Sequence, residues 1–144
     1  MNNFKLLKGF EVELFTGTLD KHVGVSNEIE GNLTNFVKEP DNRNVEYITA
    51  PNTDYGVLYK SLLNPRIDLR KWLLKRNLTI IPSSTLCFIH EDKFQRSDTN
   101  NEYHQFIESS YGTSIATSSV HINMGINDLQ KLFSAIRLAR CEAA

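Results

Sequence analysis

Three stretches of this chain alternate between polar and apolar residues, and that alternation constrains the fold more than any other feature. In residues 8–16, Phe10, Val12 and Leu14 fall on one side, with Glu11, Glu13 and Phe15 on the other. In residues 43–49, Val45, Tyr47 and Thr49 oppose Asn44, Glu46 and Ile48. In residues 113–126, Ala116, Ser118, Val120, Ile122, Met124 and Ile126 oppose Ile115, Thr117, Ser119, His121 and Asn123. A period of two is the signature of a half-buried strand. Strands of a parallel sheet are covered on both faces and give continuous apolar runs instead. The pattern therefore predicts an α+β fold: a mainly antiparallel sheet with helices on one face and a site on the other.

The segments between fit that scheme. Ser26 is placed to cap a helix whose apolar side is Ile29, Leu33, Phe36 and Val37, ending before Pro40. Pro51-Asn52-Thr53-Asp54 leads into a long helix through Leu58, Leu62, Leu69, Trp72 and Leu73, which Pro65 is expected to kink or split. Residues 78–81 form a short apolar strand, residues 83–97 a loop, and residues 101–111 a helix closed by Gly112. Tyr103, Phe106, Ile107 and Tyr111 are its expected anchors. The last helix spans residues 128–144 and has no capping signal after it, so the chain is expected to be the front part of one larger domain.

Composition excludes several classes. The 144 residues fit one domain, and 40% hydrophobic content suffices for a core. A formal net charge of −1 carries no footprint for nucleic acid. No apolar run approaches the ~18 residues of a membrane span, and no secretory signal opens the chain. Cys87 and Cys141 lack metal-ligand spacing and suggest a reducing compartment, with the cytosol as the default. Cys87 is expected to be a small buried residue. The basic side of the long helix, with Arg66, Arg70, Lys71, Lys75 and Arg76, is expected to be solvated.

The polar side of the strands carries the chemistry-bearing groups. Glu11 and Glu13 point the same way from one strand, ~6–7 Å apart along it. Glu46 lies mid-strand, and His121 and Asn123 repeat the i, i+2 spacing. If the three strands are neighbours, these groups converge. Carboxylate oxygens suit hard cations such as Mg²⁺, with nucleotide phosphates completing the coordination, and a histidine is better tolerated by Mn²⁺. By pattern alone, such a face is more often plain solvated surface, and a histidine between Val120 and Ile122 a hydrogen-bonded structural residue.

Longer strings narrow the choice. Gly9-Phe10-Glu11-Val12-Glu13-Leu14 and Arg43-Asn44-Val45-Glu46-Tyr47-Ile48-Thr49-Ala50-Pro51 resemble the opening strands of the cyanobacterial type of glutamate–cysteine ligase. Ser84-Thr85-Leu86, Tyr103-His104-Gln105-Phe106-Ile107-Glu108 with Tyr111-Gly112, and Ser119-Val120-His121-Ile122-Asn123-Met124-Gly125-Ile126 continue the likeness in order. The wider group is the carboxylate–amine ligases, whose catalytic fold is similar to that of glutamine synthetase. The resemblance implies a curved antiparallel sheet cradling ATP, Mg²⁺ or Mn²⁺, and glutamate, with cysteine as the amine. It implies that Glu11, Glu13, Glu46 and His121 hold metal. Asn123 departs from related branches, which often carry a second histidine there. Arg43 and Arg96 are candidate partners for phosphate or carboxylate, or solvated surface arginines.

The implied reaction is acyl activation: glutamate's γ-carboxylate takes the γ-phosphoryl of ATP, and the amine then displaces phosphate. It needs no nucleophilic side chain. The resemblance also implies that residues beyond this length complete the cradle, so the 144-residue chain alone is expected to be inactive. Two alternatives stay open: an inert fragment that at most binds metal or nucleotide, and a ligase for another amine. Uncovered sheet edges would favour self-association.

Overall fold

The structure, a computed structural model, describes residues 6–88 and 93–142. The chain runs β1 (Leu7–Gly17), α1 (Ser26–Asn32), β2 (Phe36–Lys38), β3 (Asn44–Ile48), α2 (Tyr55–Leu74), β4 (Thr79–Ile81), β5 (Thr85–Cys87), α3 (Glu102–Tyr111), β6 (Ile115–Thr117), β7 (Val120–Gly125) and α4 (Leu129–Glu142). The fold is α+β, and every strand pair among the described residues is antiparallel. The main sheet has the order β2-β3-β1-β4, with β7 also pairing β1. The first half of β1 pairs β7 and its last residues pair β4, so β1 is the spine on which both sides assemble. A second, two-stranded sheet joins β5 to β6.

The apolar halves of the alternating strands make the core. Val12, Val45 and Tyr47 meet Ile29 of α1 and Leu69, Trp72 and Leu73 of α2. Leu69 and Leu73 are fully buried, each worth about 1.5–3 kcal/mol of transfer free energy. The Tyr47 hydroxyl donates to the Leu62 carbonyl at 2.9 Å, which ties β3 to α2 without an orphaned polar atom. Asp54 caps α2 by accepting from the Val57 N–H, and Asn101 caps α3 by accepting from Tyr103 and His104. Gly17 is required by contact: a Cβ there would stand 2.2 Å from the Lys21 carbonyl oxygen.

Several expectations need correction. The helix after Ser26 ends at Asn32 instead of approaching Pro40. Asn35 then takes a left-handed conformation with φ 67°, which asparagine tolerates, and Phe36 and Val37 enter strand β2. α2 is not split: it runs as one helix with Pro65 inside. The segment expected as a loop after Ser83 contains β5. The predicted long strand is broken at Ser118-Ser119 into β6 and β7, which belong to different sheets. Tyr103, Phe106 and Tyr111 are exposed, and His104 is the buried anchor of α3. Cys87 is exposed. Val120, Ile122 and Met124 of β7 and Leu129, Phe133 and Ile136 of α4 are also exposed. Among the described residues no helix is long and apolar enough to cross a membrane.

Candidate functional site

Strand register brings the predicted groups together. Residues directly opposite in an antiparallel pair share a face. Glu11 stands opposite His121 and Glu13 opposite Glu46. Gly9 stands opposite Asn123, so the polar face carries Asn123 and His121 on β7, Glu11 and Glu13 on β1, and Glu46 on β3. The apolar face of β1 and β3 lies against the helices, while Val120, Ile122 and Met124 of β7 are exposed.

Hydrogen bonds fix this row. His121 Nδ1 lies 3.2 Å from Glu11 Oε2, and Asn123 Nδ2 donates to Glu11 Oε1 at 2.9 Å. The Ser119 backbone N–H donates to Glu13 Oε2 at 2.8 Å, and Ser119 Oγ lies 3.2 Å from His121 Nε2. The break between β6 and β7 thus has a local use: it presents a backbone N–H to a site carboxylate. Glu46 is buried, and burial pushes its carboxyl above the ordinary range. The charges of Glu11 and Glu13 push the same way, while a hydrogen bond with Glu39 offsets part of the rise.

Glu39 is the site residue that sequence reading missed. It follows β2 directly, and the alternation that places Val37 opposite Glu46 returns Glu39 to the same side. Its carboxyl is pushed up to about 8, first by burial, then by its hydrogen bond to Glu46 and the charges of Glu13, Glu46 and Glu11. Four carboxyl groups therefore crowd one patch of sheet. Its signal in the sequence is Glu39-Pro40, which reads locally as a helix end before proline.

Arg43 and Arg96 sit differently from the carboxylate row. Arg43 is 1% exposed, and its Nε and one terminal nitrogen clasp Asp41 at 2.8 Å each. It also donates to the Lys93 carbonyl at 3.0 Å and lies over the Phe88 ring. A phosphate could reach it only by displacing a buried bidentate carboxylate, so Arg43 is a structural residue in this arrangement. Arg96 is exposed and paired with Glu108 of α3.

The donor set suits a divalent cation. Glu11, Glu13, Glu39 and Glu46 supply only hard oxygen ligands, and their mutual repulsion is what a bound cation would relieve. Among the described residues no three His, Cys, Asp or Glu side chains already converge as a ligand set. Glu11 is oriented on this face by its bonds to His121 and Asn123, and Glu13 by its bond from Ser119.

Comparison with curated proteins finds no match. The family model for glutamate-cysteine ligase family 2 (GCS2) matches residues 7–144, from the start of β1 through α4. The match includes every residue of the carboxylate face, and this chain belongs to glutamate-cysteine ligase family 2.

Proposed function

We propose that the chain contributes the metal–nucleotide face of an ATP-dependent ligase that joins the γ-carboxylate of glutamate to the amino group of cysteine. The observation that carries this reading is the four-carboxylate patch on a family-matched sheet, with Glu39 pushed up to about 8 first by burial and then by its carboxyl neighbours. Glu11, Glu13, Glu39 and Glu46 would hold Mg²⁺ or Mn²⁺, which supplies neutralisation of the ATP phosphates when bound. His121 and Asn123, which are bonded to Glu11, would contact a metal or a phosphate oxygen beside it.

The chemistry has two displacements. The γ-carboxylate oxygen of glutamate attacks the γ-phosphorus of ATP, the bond to ADP breaks, and an acyl phosphate forms. The amine nitrogen then attacks the acyl carbon, loses a proton, and expels inorganic phosphate. The protein's contribution is positioning and charge compensation, worth several kcal/mol of barrier, with no covalent enzyme intermediate. Cysteine is the family's namesake acceptor; nothing on the carboxylate face selects it over another amine.

Phosphate release from ATP by the naturally encoded protein tests the reading. The expected result is release that requires Mg²⁺, glutamate and cysteine together. Release that persists unchanged without glutamate would overturn it.

A further inference from the structure

Glu39 lies outside the strand pairing that fixes the other three carboxyl groups. Glu11, Glu13 and Glu46 sit at paired positions of the main sheet. The register of β2 with β3 ends at Lys38, opposite Val45, and Glu39 is the next residue. Its carboxyl nevertheless stays hydrogen-bonded to Glu46, against the charges of Glu13, Glu46 and Glu11. Pro40 narrows the backbone choices of the residue before it but does not hold that residue to the sheet.

The restraint comes from the chain just before α3. The Ser97 hydroxyl donates to the Glu39 carbonyl, and the Ser97 N–H donates to the Pro40 carbonyl at 3.0 Å. One buried serine thus grips two consecutive carbonyls. Its neighbours hold the flanks. Asp98 pairs with Lys38 at 3.3 Å, and the Gln95 carbonyl accepts from the Asn42 N–H at 2.7 Å. The hydroxyl is itself oriented, because Ser97 Oγ lies 3.4 Å from Nδ1 of His104, the side chain that α3 buries. A hydroxyl has one proton to give, and here it points to Glu39. Its lone pairs therefore face His104, and the network assigns the imidazole proton to Nδ1.

We infer that Ser97 is a positioning residue for Glu39: its hydroxyl, oriented by His104, anchors to α3 the one site carboxylate that lies past the strand pairing. The inference rests on the reading of Glu39 as a metal ligand. It adds what holds that ligand in place. Groups that orient a metal ligand without touching the metal govern affinity nearly as strongly as the ligand itself. Loss of the hydroxyl frees the Glu39 backbone to move the carboxyl away from its neighbours.

The test is the half-saturating Mg²⁺ concentration for phosphate release by the naturally encoded protein with ATP, glutamate and cysteine. Ser97→Ala should raise it about tenfold or more. Ser97→Thr keeps the hydroxyl and should stay close to wild type. Ser97→Val has the shape of threonine without the hydroxyl and should behave as alanine does. Wild-type release that does not depend on Mg²⁺ would sink the metal reading of the face and this inference with it. Mg²⁺-dependent release with an unchanged half-saturation in Ser97→Ala would overturn the role of Ser97 alone. So would a threonine variant as impaired as the valine one, since the effect would then belong to packing. If the variants fail to fold, the ¹⁵N spectrum of the His104 imidazole in the wild type decides. A proton on Nδ1 supports the arrangement. A proton on Nε2 alone would turn the Ser97 hydroxyl toward His104 and away from Glu39, and would overturn it.

Discussion

At the scale of single residues, the account turns on which charges are paired and which are crowded. Arg43 and Asp41 are both 1% exposed, and Asp41 also accepts from the Arg43 and Gln95 backbone N–H groups at 3.0 Å. Removing one partner of a buried pair leaves an uncompensated charge and costs about 3–5 kcal/mol. Asp41→Ala should therefore lower the unfolding free energy obtained from urea titration by an amount of that order, and a change under about 1 kcal/mol would contradict the placement of Arg43. Glu39 has the opposite character, because its burial beside three other carboxyl groups is unfavourable in the metal-free protein. Glu39→Gln should raise the melting temperature without metal and weaken Mg²⁺ binding, a trade of function for stability common at sites. Calorimetry with and without Mg²⁺ checks both signs. That Glu11, Glu13, Glu46, His121 and Asn123 share a face is legible in the i, i+2 spacing once the strands pair. The burial of Arg43 on Asp41 is not legible in the sequence, because bidentate geometry serves a buried aspartate as well as a phosphate.

At the scale of elements, α3 shows how a helix can be right in extent and wrong in orientation. Its aromatic residues point outward, and His104 is the side chain it buries. Burial holds the His104 imidazole below its ordinary value, with Asp98 opposing and Lys38 assisting that shift. The folded state therefore keeps His104 neutral at a pH where the unfolded chain takes up a proton. That contribution to stability is present above about pH 6.5 and is lost as pH falls toward the depressed folded value. His104→Gln should flatten this acid limb. Urea midpoints at pH 7.5 and 5.5 should fall further apart in the wild type than in the variant, and equal falls would contradict the assignment. Two short elements escaped sequence reading for a physical reason. β5 has three residues, Thr85-Leu86-Cys87, too few for a period to register, and it is defined by pairing with β6 across long sequence separation, which local pattern does not encode. β2 was absorbed into α1 because Phe36 and Val37 continue the helical spacing of Ile29 and Leu33. The left-handed turn at Asn35 resets that spacing.

At the scale of the whole molecule, the alternation of β1 divides the labour of the fold. Val12 and its neighbours bind the sheet to α1 and α2, and Glu11 and Glu13 face away toward β3, β7 and the segment after β2. The α+β class and the antiparallel sheet follow from that alternation, and the family match covers the same elements from end to end. Cysteine as acceptor, Mg²⁺ and ATP stand as proposals built on the face this division exposes. The most direct test of its role is the Mg²⁺ dependence of ATP binding, measured by isothermal titration on the wild-type chain and on Glu11→Gln with Glu13→Gln. Both side chains are on the open face of the sheet, so the double variant should keep the wild-type circular dichroism spectrum. The account predicts that Mg²⁺ tightens ATP binding by the wild type and has no such effect on the variant. Equal, Mg²⁺-dependent binding by the two proteins would contradict the assignment of this face to metal and nucleotide.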